Sequence, residues 1–290
     1  MTTMRFASTS QYPQWRQHKL AAAATAGDVH PIDNPANPSA GQIAAIARQV
    51  TQCGFALYRL PEGFTASRQW LIDFGERFGL RRLDSNLCSD PDSISTLRDS
   101  GDNQRKRGYI PYTNRPLNWH TDGYYNSPDQ QIGAFILHCE QDAASGGENG
   151  LMDPELAWLR LHDENPRWVE ALSHPEAMSI PPNIEDGKEI HGWMTGPVFS
   201  ARADGKGIHM RYTARKRNIR WRDDATTLAA LTFLQNLLES EENGVIWHRL
   251  AAGEGVISNN ALHCRKGFEN GPGKQRLYYR ARYFDYIKRT

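Results

Sequence analysis

The chain has 290 residues, with 34 Lys+Arg against 33 Asp+Glu for a formal net charge of +1, and is 39% hydrophobic, 23% charged and 10% aromatic. That balance is globular and excludes a disordered polyelectrolyte, a collagen-like chain and a membrane protein, since no apolar run approaches the roughly 20 residues a bilayer requires. Near-neutrality offers no general attraction to nucleic acid or anionic lipid, and the scattered Cys53, Cys88, Cys139 and Cys264 make no zinc ribbon, redox pair or secreted disulfide scaffold.

Residues 1–40 are polar and carry Pro31, Pro35 and Pro38, so they read as a loosely structured arm docking on a single domain over 41–290. The apolar run Leu20 to Ala24 is too short and too late for a signal peptide, which leaves a cytoplasmic location expected. Ile43, Ile46, Ala47 and Val50 recur at helical spacing before Gly54. A strand is expected at 55–60, ended by Pro61, and a second helix at 66–78. Residues 84–118 read as a long loop with a short strand near 93–97, and the basic stretch 98–107 reads as a lid over a cavity. A buried strand is expected at 131–138, and short helices at 154–164 and 166–172. Strands follow at 198–200, 208–212 and 255–258, with a helix at 226–238 and a closing strand at 276–284. Strands spread along the whole chain with a few helices predict an α+β fold built on a β-sandwich or barrel.

The sharpest local feature is Asn118-Trp119-His120-Thr121-Asp122-Gly123-Tyr124-Tyr125. On a strand, His120 and Asp122 point to one face, so an imidazole and a carboxylate converge. That supplies two parts of a 2-His-1-carboxylate metal site, although a His–Asp hydrogen bond in a loop explains the pair equally simply. Of the remaining histidines, His263 stands out, because a strand and a polar turn precede it and Cys264-Arg265-Lys266-Gly267-Phe268 follow. Downstream, Arg276, Arg280 and Arg282 share one face by period-2 counting. Either they form a solvated outer face, with Leu277, Tyr279, Ala281 and Tyr283 toward the core, or they point inward and await an anion, since a buried guanidinium without one is costly. Gly271-Pro272-Gly273-Lys274-Gln275 lacks the upstream Gly and the following Ser/Thr of a phosphate loop.

His120-x-Asp122, then His263, then an Arg-rich strand resembles the Fe(II)/2-oxoglutarate-dependent dioxygenases of the taurine dioxygenase-like (TauD/TfdA) family, including its γ-butyrobetaine hydroxylase branch. Leu262 to Glu269 is similar to the branch's Leu-His-Gly-Arg-x-x-Phe stretch, and Ser145-Gly146-Gly147-Glu148-Asn149 to its Gly-Gly-Asp-Thr/Ser stretch. The resemblance covers about 45 to 285 and implies a double-stranded β-helix, or jelly-roll barrel, with flanking helices. It implies Fe(II) held by His120, Asp122 and His263, with 2-oxoglutarate as cosubstrate, dioxygen as oxidant, and succinate and CO2 as products. It further implies Arg276 on the distal carboxylate of 2-oxoglutarate, Arg280 near the cosubstrate or substrate, and Asn149 as an amide donor where the family carries Thr or Ser. Cys264 replaces a family glycine and would put a thiol beside the iron. A carboxylate at 122 favours hydroxylation, desaturation, demethylation or cyclisation over halogenation.

Trp119, Tyr124 and Tyr125 flank the metal motif as candidate walls for a small-molecule substrate, suited to an alkylammonium or apolar body. Arg211 heads a basic–aromatic run to Trp221 and is a further candidate contact, against the reading of that run as a solvated hairpin. Rival functions are a non-redox jelly-roll metalloenzyme, such as a cupin-like isomerase or hydrolase, a binding protein that has lost turnover, and a nucleic-acid demethylase with the same iron chemistry. The +1 charge weighs against nucleic acid as a partner. No membrane partner is expected, and a homo-oligomer is left open.

Overall fold

The computed structural model describes residues 12–85, 89–99, 109–185, 187–202, 204–240 and 244–288. In chain order, α1 (Tyr12–Ala23) and β1 (Val29–Pro31) lead into α2 (Ala40–Cys53), β2 (Phe55–Arg59), α3 (Arg68–Glu76) and β3 (Ser95–Leu97). The centre carries β4 (Leu117–His120), β5 (Ala134–Gln141), β6 (Asn149–Met152), α4 (Pro154–Glu164) and α5 (Pro166–Leu172). Small strand pairs follow, then α6 (Ala225–Glu239), β7 (Ile246–His248), β8 (Glu254–Ser258), β9 (Leu262–Arg265) and β10 (Leu277–Tyr283).

Two sheets organise the site. A six-stranded sheet runs β1-β2-β8-β5-β10-β3, antiparallel except for the parallel pair β1–β2. A four-stranded antiparallel sheet runs β7-β6-β9-β4. Period-2 alternation explains how the larger sheet is covered on both faces. Phe55, Leu57, Phe135, Leu137 and Val256 form one cluster with Leu151 of the smaller sheet. Tyr58, Ile136, Ile257, Ala281 and Tyr283 face the other way, onto Ile46, Leu71 and Phe74 of α2 and α3. Each fully buried Val, Leu, Ile or Phe side chain among them contributes about 1.5–3 kcal/mol. The fold is therefore mixed α+β, but among the described residues the two sheets do not join by strand pairing into the closed barrel that the sequence suggested. Tyr112, Leu250 and Ala261, from connecting segments, join the cluster between them.

Local sequence accounts for the helices. Ser39 and Gln42 cap α2 reciprocally, and Gly54, at φ 78°, ends it in the left-handed conformation. Ser67 caps α3 through Trp70 N. Asp153 and Asn165, each followed by proline at the first helical position, start α4 and α5 at the predicted residues.

The segment before residue 41 departs from the expected loose arm. It holds a helix and an edge strand, with Val29 opposite Leu57. Lys19 of α1 is buried against Asp153 and Glu155 at 2.7 Å each, an anchor that apolar periodicity does not reveal. Of the proposed lid, Arg98 and Asp99 belong to the described residues, whereas 100–107 lie outside them, as does Cys88.

Candidate metal centre

The pairing of β4 with β9 sets His120 directly opposite His263, and their ring centroids are 4.2 Å apart. Asp122 lies in the turn just after β4, and one ligand atom from each of the three residues lies within 4.8 Å of the others. His120 Nε2 is 4.0 Å from Asp122 Oδ1. Each histidine Nδ1 lies 2.9 Å from the carbonyl two residues earlier, Asn118 O or Ala261 O. A carbonyl only accepts, so Nδ1 donates and Nε2 presents its lone pair to the site. Asp122 Oδ2 is buried without a hydrogen-bond partner. Two imidazole lone pairs and an orphaned carboxylate oxygen suit a divalent iron with open positions on its far side.

The electrostatics hold these donors in their binding states. Burial, reinforced by the neighbouring His263, pushes His120 down to about 3, and burial likewise lowers His263. Burial alone would raise the Asp122 carboxyl, but Arg280 and Arg282 hold it well below the usual carboxylate range. Arg280 Nη1 donates to Asp122 Oδ1 at 3.1 Å, and Arg282 Nη1 lies 3.6 Å from the same oxygen. Near neutral pH the site presents one carboxylate and two neutral imidazoles.

A residue outside the expected set fixes Asp122. Asn260, in the turn between β8 and β9, accepts from Asp122 N at 2.8 Å and donates to Asp122 O at 3.0 Å and Ile132 O at 2.9 Å. Its own φ is 53°, in the left-handed region that asparagine tolerates better than most residues. One amide thus ties the carboxylate ligand to the turn that presents His263. Gly123, at φ 66°, completes the Asp122 turn, and a Cβ there would meet Ile132 at 2.5 Å.

The arginine strand resolves in favour of the inward reading. Arg276, Arg280 and Arg282 are all buried, because β10 is an interior strand covered on both faces. Arg276 is 3% exposed; its guanidinium lies over Tyr278 at 3.7 Å and Phe268 at 4.9 Å, and its Nε and Nη1 have no hydrogen-bond partner among the described residues. Burial pushes its pKa down. Arg282 is paired with Asp84 and with Tyr125 Oη. Arg265, part of the sequence motif but given no role there, is also buried, and burial together with Arg276 pushes it down to about 9.

The remaining candidates divide. Asn149 is buried, opposite Arg265 in the sheet, with its amide 3.5 Å from His248 O. Tyr124 packs edge-on to His120 at 6.4 Å and accepts from Arg215 at 2.8 Å. Tyr125 stacks on His191 at 6.4 Å. Trp119 alternates away from His120 and packs edge-on to Trp247 at 5.9 Å. Arg211 donates to the carbonyls of Tyr124, Met178 and Met194 at 2.6–3.0 Å, bracing the backbone. Cys264, expected beside the iron, points to the opposite face of β9 from His263, where its sulfur lies 2.6 Å from a Cβ built on Gly150. Burial pushes this thiol up to about 12.

Residues 17–282 match the family described as Taurine catabolism dioxygenase TauD, TfdA family. Among solved structures, an asparagine oxygenase superposes with a TM-score of 0.60 at 14% identity, covering 95% of this chain and 90% of that one. The non-heme iron oxygenase OrfP, in complex with Fe, succinate and (3R,4R)-dihydroxy-L-Arg, gives 0.61 at 13%, covering 98% and 93%. A taurine dioxygenase from Burkholderia xenovorans gives 0.58 at 13%, covering 87% and 83%. At these identities the likeness establishes the fold. Among the described residues no helix is long and apolar enough to cross a membrane.

Proposed function

The chain belongs to the TauD, TfdA family and is an Fe(II)/2-oxoglutarate-dependent dioxygenase with a His120–Asp122–His263 triad, and from that premise we propose that it oxidises an unactivated C–H bond of a small-molecule substrate in a jelly-roll cavity between its two sheets. Hydroxylation is the primary outcome, with desaturation or demethylation as variants, and succinate and CO2 are released. Bound Fe(II) supplies dioxygen activation, with one oxygen atom passing to succinate and the other to the substrate or, in a desaturation, to water. The protein's own work is positional. The two histidines, held by backbone carbonyls, aim their lone pairs at one point, and Asp122 supplies the negative charge. Arg276 receives the distal carboxylate of 2-oxoglutarate, Arg280 stands beside the ligand set, and Asn149 offers an amide donor. Tyr124 and Tyr125 wall the substrate side, while Trp119 and Arg211 shape it from behind.

The observation that carries this reading is Arg276, a buried guanidinium with two unpartnered nitrogens just before the strand that bears Arg280. A dicarboxylic cosubstrate satisfies such a group with a bidentate pair. The test is a metabolite screen for substrate-stimulated succinate formation with Fe(II), ascorbate and air, followed by Arg276→Ala. The variant should raise the 2-oxoglutarate KM by at least about 10-fold, the loss of a buried charge-assisted pair. An unchanged KM would refute the assignment of Arg276, and stimulation by methylated oligonucleotides alone would replace the small-molecule reading.

A further inference from the structure

Arg265 is a buried cation that the metal triad does not use. It lies two residues past His263 on β9, so it shares that residue's face, and it is 5% exposed. Its hydrogen-bond acceptors are backbone carbonyls: Nη2 donates to Thr113 O at 2.8 Å and also to Arg115 O, while Nε is buried without a partner. Its guanidinium carbon is 4.9 Å from the centroid of the Phe268 ring, and that of Arg276 is 4.9 Å from the same centroid. Two buried positive charges thus share one aromatic ring. In a low-dielectric interior like charges repel, and the attraction of Asp99 offsets only part of the cost at Arg265, whose shift remains downward. A carboxylate arriving at Arg276 is attracted by both.

The same residue organises the chain around that pocket. Phe268 N donates to Asn114 O at 3.1 Å. Three consecutive carbonyls, of Thr113, Asn114 and Arg115, are therefore fastened to the 265–268 stretch, just before the chain enters β4 and reaches His120. On the other side, Gly147 N donates to Gly267 O and Lys266 N to Glu148 O, both at 2.9 Å, which brings in the turn before Asn149.

We propose that Arg265 is a positioning residue for the cosubstrate. It clamps the 113–115 run against Phe268 and adds a second positive charge behind Arg276, so that a dicarboxylic 2-oxo acid binds more tightly than Arg276 alone would hold it. This rests on the reading of Arg276 as the group that receives the distal carboxylate.

The test is an anaerobic titration of the Fe(II)-loaded protein, followed by the visible charge-transfer band that a chelating 2-oxo acid produces. Two ligands are compared: 2-oxoglutarate, and 2-oxobutyrate, which has the same chelating end but no distal carboxylate. Arg265→Met should weaken 2-oxoglutarate about 10-fold, while the affinities for 2-oxobutyrate and for Fe(II) change less than about two-fold. Arg265→Lys keeps the charge without the planar guanidinium that lies by Phe268 while its Nη2 reaches two carbonyls, and should fall between wild type and Arg265→Met. A thermal-shift titration of the metal-free variants with 2-oxoglutarate should give the same order. Equal weakening of both acids would reduce Arg265 to a purely structural part, and unchanged 2-oxoglutarate affinity would overturn the proposal outright. A wild-type protein with no preference for 2-oxoglutarate over 2-oxobutyrate would instead bring down the Arg276 reading, and this proposal with it.

Discussion

Asn260 carries more of the metal centre than its place in a turn suggests. Its side-chain amide satisfies both backbone groups of Asp122 and a third at Ile132, all buried. Asn260→Ala leaves those groups unpaired, at about 1–3 kcal/mol for each buried polar group that finds no substitute. We expect a loss of about 3 kcal/mol in urea unfolding and a 10–100-fold weaker Fe(II) affinity, the usual scale for a partner that orients a metal ligand. Asn260→Gly suits the left-handed backbone but lacks the amide, so it should resemble the alanine variant in iron binding; wild-type affinity in the glycine variant would contradict the role given to the side chain. At this scale the sequence was partly legible. His120 and Asp122 stand two apart and announce a shared site, and the period of the arginines placed them on one face. It did not say which face, because burial of both sides of β10 depends on the helices packed behind it. Asn260 was not legible as a positioning group, since its partner lies 138 residues away in sequence.

Helix α1 is held by a buried ion cluster as well as by apolar packing, with Tyr12, Trp15, Leu20 and Ala23 against the core. Lys19 Nζ is 2.7 Å from both Asp153 and Glu155 and donates to Gln52 O at 2.9 Å. Burial alone would lower its pKa, but the two carboxylates raise it, so the ammonium stays charged. Lys19→Met would leave two buried carboxylates facing each other, and should cost about 3–5 kcal/mol in chemical unfolding. Adding Asp153→Asn and Glu155→Gln should recover part of that loss; a cost below about 1 kcal/mol for Lys19→Met would mean that α1 docks by other contacts. The contrast with α4 and α5 shows what local sequence conveys. Their Asp-Pro and Asn-Pro starts mark the helix ends directly, whereas the polar 1–40 stretch concealed a helix anchored in part by a buried lysine.

Across the whole molecule, two buried histidines outside the metal centre tie stability to pH. Burial pushes His138 down to about 4, and burial with Arg202 and Arg211 does the same to His209. Between pH 6.5 and 4 the unfolded chain binds protons that the folded chain refuses, so stability falls as pH drops through that window. The loss is up to about 3 kcal/mol for each histidine at the acid end. Urea midpoints measured from pH 7.5 to 4.5 should show this fall, to which His120 and His263 add in the metal-free protein, and His138→Gln or His209→Gln should each make it shallower; a profile independent of pH would contradict the assignment. The overall architecture was legible in kind, through short strands spread along the chain and the order of its motifs. That the two sheets remain separately paired was not, because closure of a barrel depends on which strand edges meet.

The central claim, that His120, Asp122 and His263 meet at a single ferrous ion, is tested most directly by anaerobic calorimetric titration of Fe(II) into the wild-type protein and into His120→Ala, Asp122→Ala and His263→Ala. The account predicts one equivalent bound by the wild type and loss of that site in all three variants with their circular dichroism intact. Wild-type affinity in any one of the three would contradict it.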